Sequence, residues 1–129
     1  MSEFNIGIIG TRRRNSPGDY KATFKKFFDL YEDGYRIISG GCPKGGDNFA
    51  FDISKSEGIP ITIFPANWSR YGKGAGFVRN TDIAENSDIL IACVSKDRTG
   101  GTEDTIKKFL KFNKVTEIEA IEHGLLHLV

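Results

Sequence analysis

The chain has 129 residues, a length that normally forms one domain, so we expect a single domain spanning residues 1–129. Apolar side chains make up 39% of the chain, and 18 basic side chains nearly balance 17 acidic ones, which gives a formal net charge of +1. This balance argues against a protein that coats nucleic acid and against a disordered acidic tail. No run approaches the roughly 18 consecutive apolar residues of a membrane span.

The cysteine content and the N-terminal residues indicate a cytoplasmic protein. The two cysteines, Cys42 and Cys93, are too few for a disulfide framework. The first residues lack the basic, apolar and small-residue pattern of a signal peptide. The two histidines, His123 and His127, are far from both cysteines in the sequence, so no metal site is expected.

The first predicted elements are a strand at residues 4–9 and the helix that follows it. Ser16 and Pro17 indicate the start of that helix, Asp19 fits the capping pattern, and Gly34 marks its end. Aromatic residues then recur at helical spacing, which predicts one apolar helix face packed on the sheet. They are Tyr20, Phe24, Phe27, Phe28 and Tyr31.

The rest of the chain continues the alternation of strands and helices. Strands are predicted at residues 35–39, 60–64 and 88–92, helices at 47–57, 76–85 and from Thr102 onward, and a weaker edge strand at 115–121. Strands that are apolar throughout are typical of a parallel sheet covered on both faces. We therefore expect an α/β fold: a Rossmann-like, three-layer α/β/α sandwich around a central parallel sheet of about five strands. The first strand should lie between the second and the fourth. The apolar C-terminal residues are expected to cover a sheet edge or to meet a second copy of the chain.

Basic residues are concentrated in the loops that follow the first four strands, at residues 10–18, 40–46, 65–80 and 93–101. These loops meet at the carboxyl edge of the sheet, where ligands bind in such folds. They hold nine basic residues and one acidic residue, Asp97. The nine are Arg12, Arg13, Arg14, Lys44, Arg70, Lys73, Arg79, Lys96 and Arg98. This excess favours an anionic ligand, with solvated loop charges as the alternative.

Two of these loops are rich in glycine and lead into helices. Residues 39–47 read Ser-Gly-Gly-Cys-Pro-Lys-Gly-Gly-Asp, and residues 99–104 read Thr-Gly-Gly-Thr-Glu-Asp. Glycines let a ligand approach the main chain, and a helix start offers unpaired N–H groups, so both loops favour a phosphate. Thr102 either binds that phosphate or caps its helix. Neither loop is a Walker motif, and no GxGxxG follows the first strand, so ordinary NAD binding is not supported.

The third loop contains the single tryptophan, Trp68, together with Tyr71. Long loops in compact domains are usually functional. These two rings either stack on a base or pack beneath the loop. Arg79 and Asn80 follow one turn into the next helix, from where they can point back at the strand edge.

Together these motifs resemble those of the SLOG superfamily, in the same order. They are Gly10-Thr11-Arg12, Ser39-Gly40-Gly41 with Gly45-Gly46-Asp47, Ala75-Gly76 with Arg79-Asn80, and Gly101-Thr102. The resemblance covers residues 4–112, and within the superfamily the chain is most similar to the small YspA-like, YpsA-related group. It departs from the usual pattern at Thr11, Cys42, Gly46 and Asn67, where members usually carry serine, alanine, alanine and aspartate.

The resemblance implies a Rossmann-like domain that binds nucleotides or nucleotide-derived ligands. Relatives include the LOG phosphoribohydrolases, which cleave the N-glycosidic bond of nucleoside monophosphates, the DprA proteins, which bind single-stranded DNA, and sensor domains that read nucleotide signals. An arginine of the LOG enzymes corresponds to Arg79. The position of their catalytic glutamate is occupied by Thr105 here.

We therefore predict binding of a nucleotide-derived, phosphorylated ligand, which takes the place of any cofactor. A second copy of the chain is a further candidate partner. Nucleic acid and membranes are not expected partners. The candidate ligand-binding residues are Gly10, Thr11, Arg12, Ser39, Gly40, Gly41, Lys44, Gly45, Asp47, Trp68, Arg79, Asn80, Gly100, Gly101 and Thr102.

Two other functions remain open. The first is an N-glycosidase in which Glu103 or Asp104 acts beside the anomeric carbon and Arg79 holds the 5′-phosphate. These two acids also suit the first turn of a helix regardless of function. The second is single-stranded nucleic-acid binding, with Trp68 and Tyr71 as stacking platforms. The small net charge weakens this second alternative.

Overall fold

The computed structural model describes residues 4–129. Within them, five parallel strands form one sheet in the order β3-β2-β1-β4-β5. The strands are β1 (Asn5–Gly10), β2 (Arg36–Ser39), β3 (Ile61–Ile63), β4 (Ile89–Cys93) and β5 (Leu126–Leu128). The predicted α/β fold class and the central place of the first strand, between the second and the fourth, are confirmed.

Helices cover both faces of this sheet. They are α1 (Pro17–Leu30), α2 (Gly46–Glu57), α3 (Trp68–Tyr71), α4 (Ala75–Asn86), α5 (Gly101–Asn113) and α6 (Glu117–Glu122), with a short 3-10 turn at Gly72–Gly74. Helices α1 and α2 pack on one face, and α4 and α5 pack on the other. None of the helices within residues 4–129 has the length and hydropathy to cross a membrane.

Alternating side chains of the strands supply the two halves of the core. Ile6 and Ile8 of β1 face α1 and α2, whereas Ile9 faces α4 and α5, and all three are buried. A sheet covered in this way needs apolar residues at every strand position, which explains the continuous apolar runs. Phe27 of α1 is fully buried, and the other four aromatic residues of its predicted apolar face pack against the same cluster.

The structure corrects the predicted fifth strand at residues 115–121. That segment forms α6, because Thr116 and Glu119 make a reciprocal capping box in which each side chain accepts the other's backbone N–H at 3.2 Å. The alternating acids that indicated an edge strand are therefore helix-start residues. The edge strand is β5, which comes from the apolar C-terminal segment and pairs in parallel with β4.

Helix α2 starts in direct contact with β1 through Gly46. A Cβ atom at Gly46 would lie 2.1 Å from the carbonyl carbon of Ile9 and 2.2 Å from the nitrogen of Gly10. Both contacts are with main-chain atoms, which cannot rotate away. Residue 46 must therefore lack a side chain for α2 to keep this position.

We predict that Gly46→Ala lowers the free energy of unfolding by at least about 2–3 kcal/mol, because it overpacks a backbone contact. Gly74→Ala is the matched control. Gly74 has φ −83° and ψ −3°, and its added Cβ would meet nothing within 4 Å. Urea denaturation of the parent and both variants measures the effect, and equal stability of the two variants would contradict this account.

Candidate functional site

A cleft of about 370 Å³ opens at the carboxyl ends of the central strands. Its volume falls within the range of small-molecule sites. The predicted site residues that line it are Gly10, Thr11, Arg12, Asp47, Arg79, Asn80, Gly100, Gly101 and Thr102. Its other lining residues are Ile9, Arg13, Cys42, Ile83, Thr99 and Thr105. Arg13, Cys42 and Thr99 stand in the same predicted loops, although nothing in the sequence singled them out as ligand-binding residues. Ile9, Ile83 and Thr105 belong to a strand or helix, and only packing brings them to the cleft.

The remaining predicted residues lie outside the lining. They are Ser39, Gly40, Gly41, Lys44, Gly45, Trp68, Glu103 and Asp104. Ser39 is fully buried and its hydroxyl accepts the N–H of Gly41 at 3.2 Å, so it shapes the loop rather than the cleft surface. The carbonyl of Gly40 holds Arg79. Gly45 has φ +72° and packs against the main chain of Thr11.

The start of α5 is open toward the cleft. Its N-cap, Gly100, has φ +102°, and no side chain caps the helix. Thr102 lies two residues further on, so the alternative in which its hydroxyl is the cap is not realised. A Cβ at Gly100 would meet nothing within 4 Å. Because the first N–H groups of a helix have no partner inside the helix, this end of α5 offers donors and a positive dipole end to an anion.

The start of α2 differs, although both glycine loops predicted a phosphate. Gly45 and Gly46 are buried, and the N–H of Gly45 donates to Oδ1 of Asn15 at 2.9 Å. Asp47 occupies the first turn and complements the helix dipole with its own carboxylate. Helix α5 also carries two first-turn acids, Glu103 and Asp104, but both lie outside the cleft lining and bind other side chains, whereas Asp47 lines the cleft.

Arg79 is held by two hydrogen bonds that leave one edge of its guanidinium free. Nη1 donates to the carbonyl of Gly40 at 2.8 Å, and Nε donates to Oδ1 of Asn80 at 3.1 Å. Its Nη2 donates to nothing within residues 4–129. Asn80 uses its amide nitrogen to reach the carbonyl of Gly101 at 3.3 Å and Oδ2 of Asp104 at 3.1 Å. Asn80 thus fixes Arg79 relative to the start of α5.

Several of the basic loop residues are neutralised by acids. Arg13 makes a two-point contact with Asp97, with both distances 2.9 Å, and Arg14 pairs with Asp19 at 3.0 Å. Hydrogen bonds from Arg13, Ser95 and Thr99 hold the pKa of Asp97 well below its usual range. The count of charges in the loops overstated the positive field, because Asp19 lies outside the loops.

Arg98 is a third neutralised cation, with φ +53° and contacts to Glu103 at 2.7 Å and Glu117 at 2.5 Å. Both of these acids also lie outside the predicted loops. Arg12, by contrast, is exposed, lines the cleft and makes no hydrogen bond or ion pair with residues 4–129. Arg12 and Arg79 are therefore the cations that the cleft offers to a ligand.

The two acids considered for catalysis are both engaged elsewhere. Oε2 of Glu103 accepts from Arg98, and Oδ2 of Asp104 accepts from Asn80 and from Nζ of Lys108 at 2.8 Å. Asp47 carries the one carboxylate among the described residues that line the cleft. Burial raises its pKa, an effect that the N–H of Cys42 and the charge of Arg79 partly oppose.

The aromatic residues of the third loop are exposed. Trp68 and Tyr71 are the first and last residues of the short helix α3, and 59% and 43% of their surface is accessible. These exposures disfavour the alternative in which the two rings pack beneath the loop. The guanidinium of Arg70 lies 5.3 Å from the ring centre of Tyr71.

The fold and the cleft define a Rossmann-like α/β protein with its candidate site at the carboxyl edge of a parallel sheet. The chain matches no known protein-family profile and no curated protein. Its fold is similar to that of the molybdenum cofactor binding protein of the phototrophic bacterium Rippkaea orientalis, with 19% identity and a TM-score of 0.70, over 100% of this chain and 90% of that one.

Two further solved structures share the fold. DNA processing protein A of Helicobacter pylori, which binds single-stranded DNA, is 18% identical with a TM-score of 0.70, over 98% of this chain and 75% of that one. The Moco carrier protein of Chlamydomonas reinhardtii is 15% identical with a TM-score of 0.61, over 99% of this chain and 90% of that one. The TM-scores of these three structures establish a shared fold, and at identities below 20% they show the fold alone.

The similar structures also correct the expectation that no cofactor is involved. Two of the three are named for the molybdenum cofactor that they bind or carry. The expectation of no cofactor was therefore wrong. It rested on the assignment of the site to a nucleotide-derived ligand in place of a cofactor, and loop motifs that favour a phosphate do not distinguish between the two.

We predict that Asp47→Asn becomes more stable relative to the parent as the pH rises from 4 to 7. The pKa of Asp47 is raised in the folded state above its ordinary value of 3.8. Above that value the folded protein holds this proton more tightly than the unfolded chain, so the parent loses stability as the pH rises through the raised pKa. Urea denaturation of both proteins across this range measures the difference. A difference that does not vary with pH would show that burial leaves this carboxyl unperturbed.

Proposed function

We propose that the cleft binds a phosphorylated small molecule, either a nucleotide or nucleotide-derived ligand or a phosphorylated cofactor. One observation carries this proposal: the free edge of Arg79, the unpaired guanidinium of Arg12 and the open start of α5 all border one cleft. Proteins commonly bind phosphate through charge-assisted hydrogen bonds from guanidinium groups and through hydrogen bonds from main-chain N–H groups at a helix start.

The resemblance to the SLOG superfamily supports this proposal. Of the glycine, arginine and threonine positions that carry the resemblance, those that border the cleft come from three separate segments of the chain. They are Gly10, Thr11, Arg12, Arg79, Gly101 and Thr102. On this basis we infer a SLOG-type binding or sensor domain with YspA-like features. The glycines then serve to bring main-chain N–H groups within reach of the ligand.

The molybdenum cofactor is one ligand of this class, since it is a phosphorylated pterin. Arg12, Arg79 and the start of α5 would hold its phosphate, and Asp47 would accept from ring N–H or amino groups. Within residues 4–129 no cluster of three or more His, Cys, Asp or Glu side chains could hold a metal ion. Arg12, Arg79, Asp47 and the start of α5 suit the phosphate and the polar groups of the organic part of this cofactor.

The most direct test is to identify what the protein carries. Purified protein would be denatured, and the released small molecules identified by mass spectrometry. A phosphorylated nucleotide or pterin, present at near one equivalent and lost in a double Arg12→Ala, Arg79→Ala variant, is the expected result. Release of an unphosphorylated compound would contradict the proposal.

We predict that Arg79→Ala weakens binding of nucleoside 5′-monophosphates by about ten- to a hundredfold, because a charge-assisted hydrogen bond contributes about 1.5–3 kcal/mol. The unphosphorylated nucleoside should be barely affected. Lys96→Ala is the control, since Lys96 is an exposed loop cation outside the cleft. Isothermal titration measures the affinity of all three proteins for each ligand. An equal loss of affinity in both variants would show that Arg79 acts only through its contribution to the net positive charge.

An N-glycosidase is not favoured by the contacts of Glu103 and Asp104, whose carboxylates bind other side chains. The titrations should nonetheless include a chromatographic assay for free base. We expect none to be released by the parent. If the parent releases free base and either Glu103→Gln or Asp104→Asn abolishes that release, the function is hydrolysis of the N-glycosidic bond and not binding alone.

Single-stranded DNA is a second candidate ligand, favoured by the exposed rings of Trp68 and Tyr71 beside Arg70 and Lys73. Stacking of a base on an aromatic side chain contributes about 1–3 kcal/mol. If this surface binds DNA, Trp68→Ala weakens binding of an oligothymidylate by about ten- to a hundredfold, as measured by fluorescence anisotropy. Phe112→Ala, which removes an equally exposed ring from α5, is the control. No binding by the parent, or the same loss in both variants, would remove this candidate.

A further inference from the structure

Asp47 is a carboxylate in a cleft whose other charged groups suit an anion. Asp47 is only 9% exposed, yet it lines the cleft. A buried carboxylate beside a phosphate site weakens phosphate binding, and burying a charge has a cost of its own. Its presence therefore calls for a compensating interaction.

The protein itself satisfies only part of the hydrogen-bonding capacity of this carboxylate. Oδ2 accepts the N–H of Cys42 at 3.1 Å, and the N–H of Gly40 also stabilises the charged form. The charges of Arg79 and Arg12 also favour the ionised form, but within residues 4–129 no side chain donates a hydrogen bond to this carboxylate and neither arginine forms an ion pair with it. A carboxylate has about four acceptor positions, so about two are left for groups in the cleft.

The arrangement of the backbone keeps Asp47 and Arg79 side by side. A Cβ at Gly40 would lie 2.6 Å from Nη1 of Arg79 and 2.9 Å from Oδ2 of Asp47. Glycine at this position leaves room for one acceptor and one donor at the same wall of the cleft. The start of α5 follows β4, which lies on the side of β1 opposite β2, and it borders the same cleft.

We propose that Asp47 is the specificity-determining residue of the cleft, accepting a hydrogen bond from a hydroxyl or N–H group on the part of the ligand that does not carry the phosphate. This inference rests on the proposed function, since it assumes a phosphate at the start of α5. A ligand bound in this way spans the cleft, with its phosphate at α5 and its sugar or ring at α2. The cleft then rejects bare phosphate esters, which meet the charge of Asp47 without a donor to offer it.

A purely structural role for Asp47 is the competing account, because its carboxylate also holds the N–H of Cys42. Asp47→Asn separates the two roles. The amide oxygen still accepts that N–H, but the negative charge is lost and a donor replaces one of the acceptors. Ser39→Ala is the matched control, since it disturbs the same loop from a buried position outside the cleft.

The experiment compares adenosine 5′-monophosphate, its 2′,3′-dideoxy analogue and methyl phosphate by isothermal titration. For Asp47→Asn we expect about ten- to a hundredfold weaker binding of the full nucleotide, because a hydrogen bond to a charged group is lost. Methyl phosphate should bind as well or better, because the repulsion is gone. Ser39→Ala should shift both affinities in the same direction.

The dideoxy analogue identifies the donor. If it binds the parent as weakly as the full nucleotide binds Asp47→Asn, the donor is a sugar hydroxyl, and if it binds the parent fully, the donor is an N–H of the ring. Tighter binding of both the nucleotide and methyl phosphate by Asp47→Asn, or no change in either, overturns the inference and leaves the proposed function standing. If the parent binds none of the three probes, this inference is overturned, and the proposed function is decided separately by the identity of the small molecule that the protein carries.

Discussion

The contact between Gly46 and the backbone of β1 is the constraint on which the rest of the site depends. With no side chain at this position, the first turn of α2 rests directly on the peptide between Ile9 and Gly10. This contact places Asp47 at the wall of the cleft. It also forces the loop that precedes α2 to turn tightly, with Gly45 in a left-handed conformation against Thr11. A larger residue at 46 would push α2 outward and move the carboxylate with it.

The two helix starts that meet the cleft have different electrostatic character, although their sequences look alike. At α2 the glycines are buried against β1, and the acid of the first turn complements the dipole. At α5 the glycines are exposed, and the two acids of the first turn bind other side chains, Glu103 to Arg98 and Asp104 to Asn80 and Lys108. One wall of the cleft therefore offers a hydrogen-bond acceptor, and the opposite wall offers donors. A ligand with a single phosphate at one end matches that arrangement.

The sequence predicted the features that depend on local pattern and missed those that depend on distant pairing. Ser16 and Pro17 fixed the start of α1, and the apolar runs located four strands. The fifth strand was wrong because alternation of acids with isoleucine also fits a capped helix, and only the box between Thr116 and Glu119 distinguishes the two. The charge of the loops was overestimated because Arg98 meets an acid 19 residues away, a pairing that no local pattern shows.

The same distant pairings make the cleft a preformed site. Asn80 ties α4 to the start of α5, and Arg13 ties the loop after β1 to the segment before α5 through Asp97 and Thr99. Each link joins residues that are far apart in the sequence and are brought together by the fold. Because these links fix the donors before a ligand arrives, little conformational freedom is lost on binding, and more of the contact energy remains as affinity. The charged groups without such links, Arg12 and the free edge of Arg79, are the ones that remain available to a ligand.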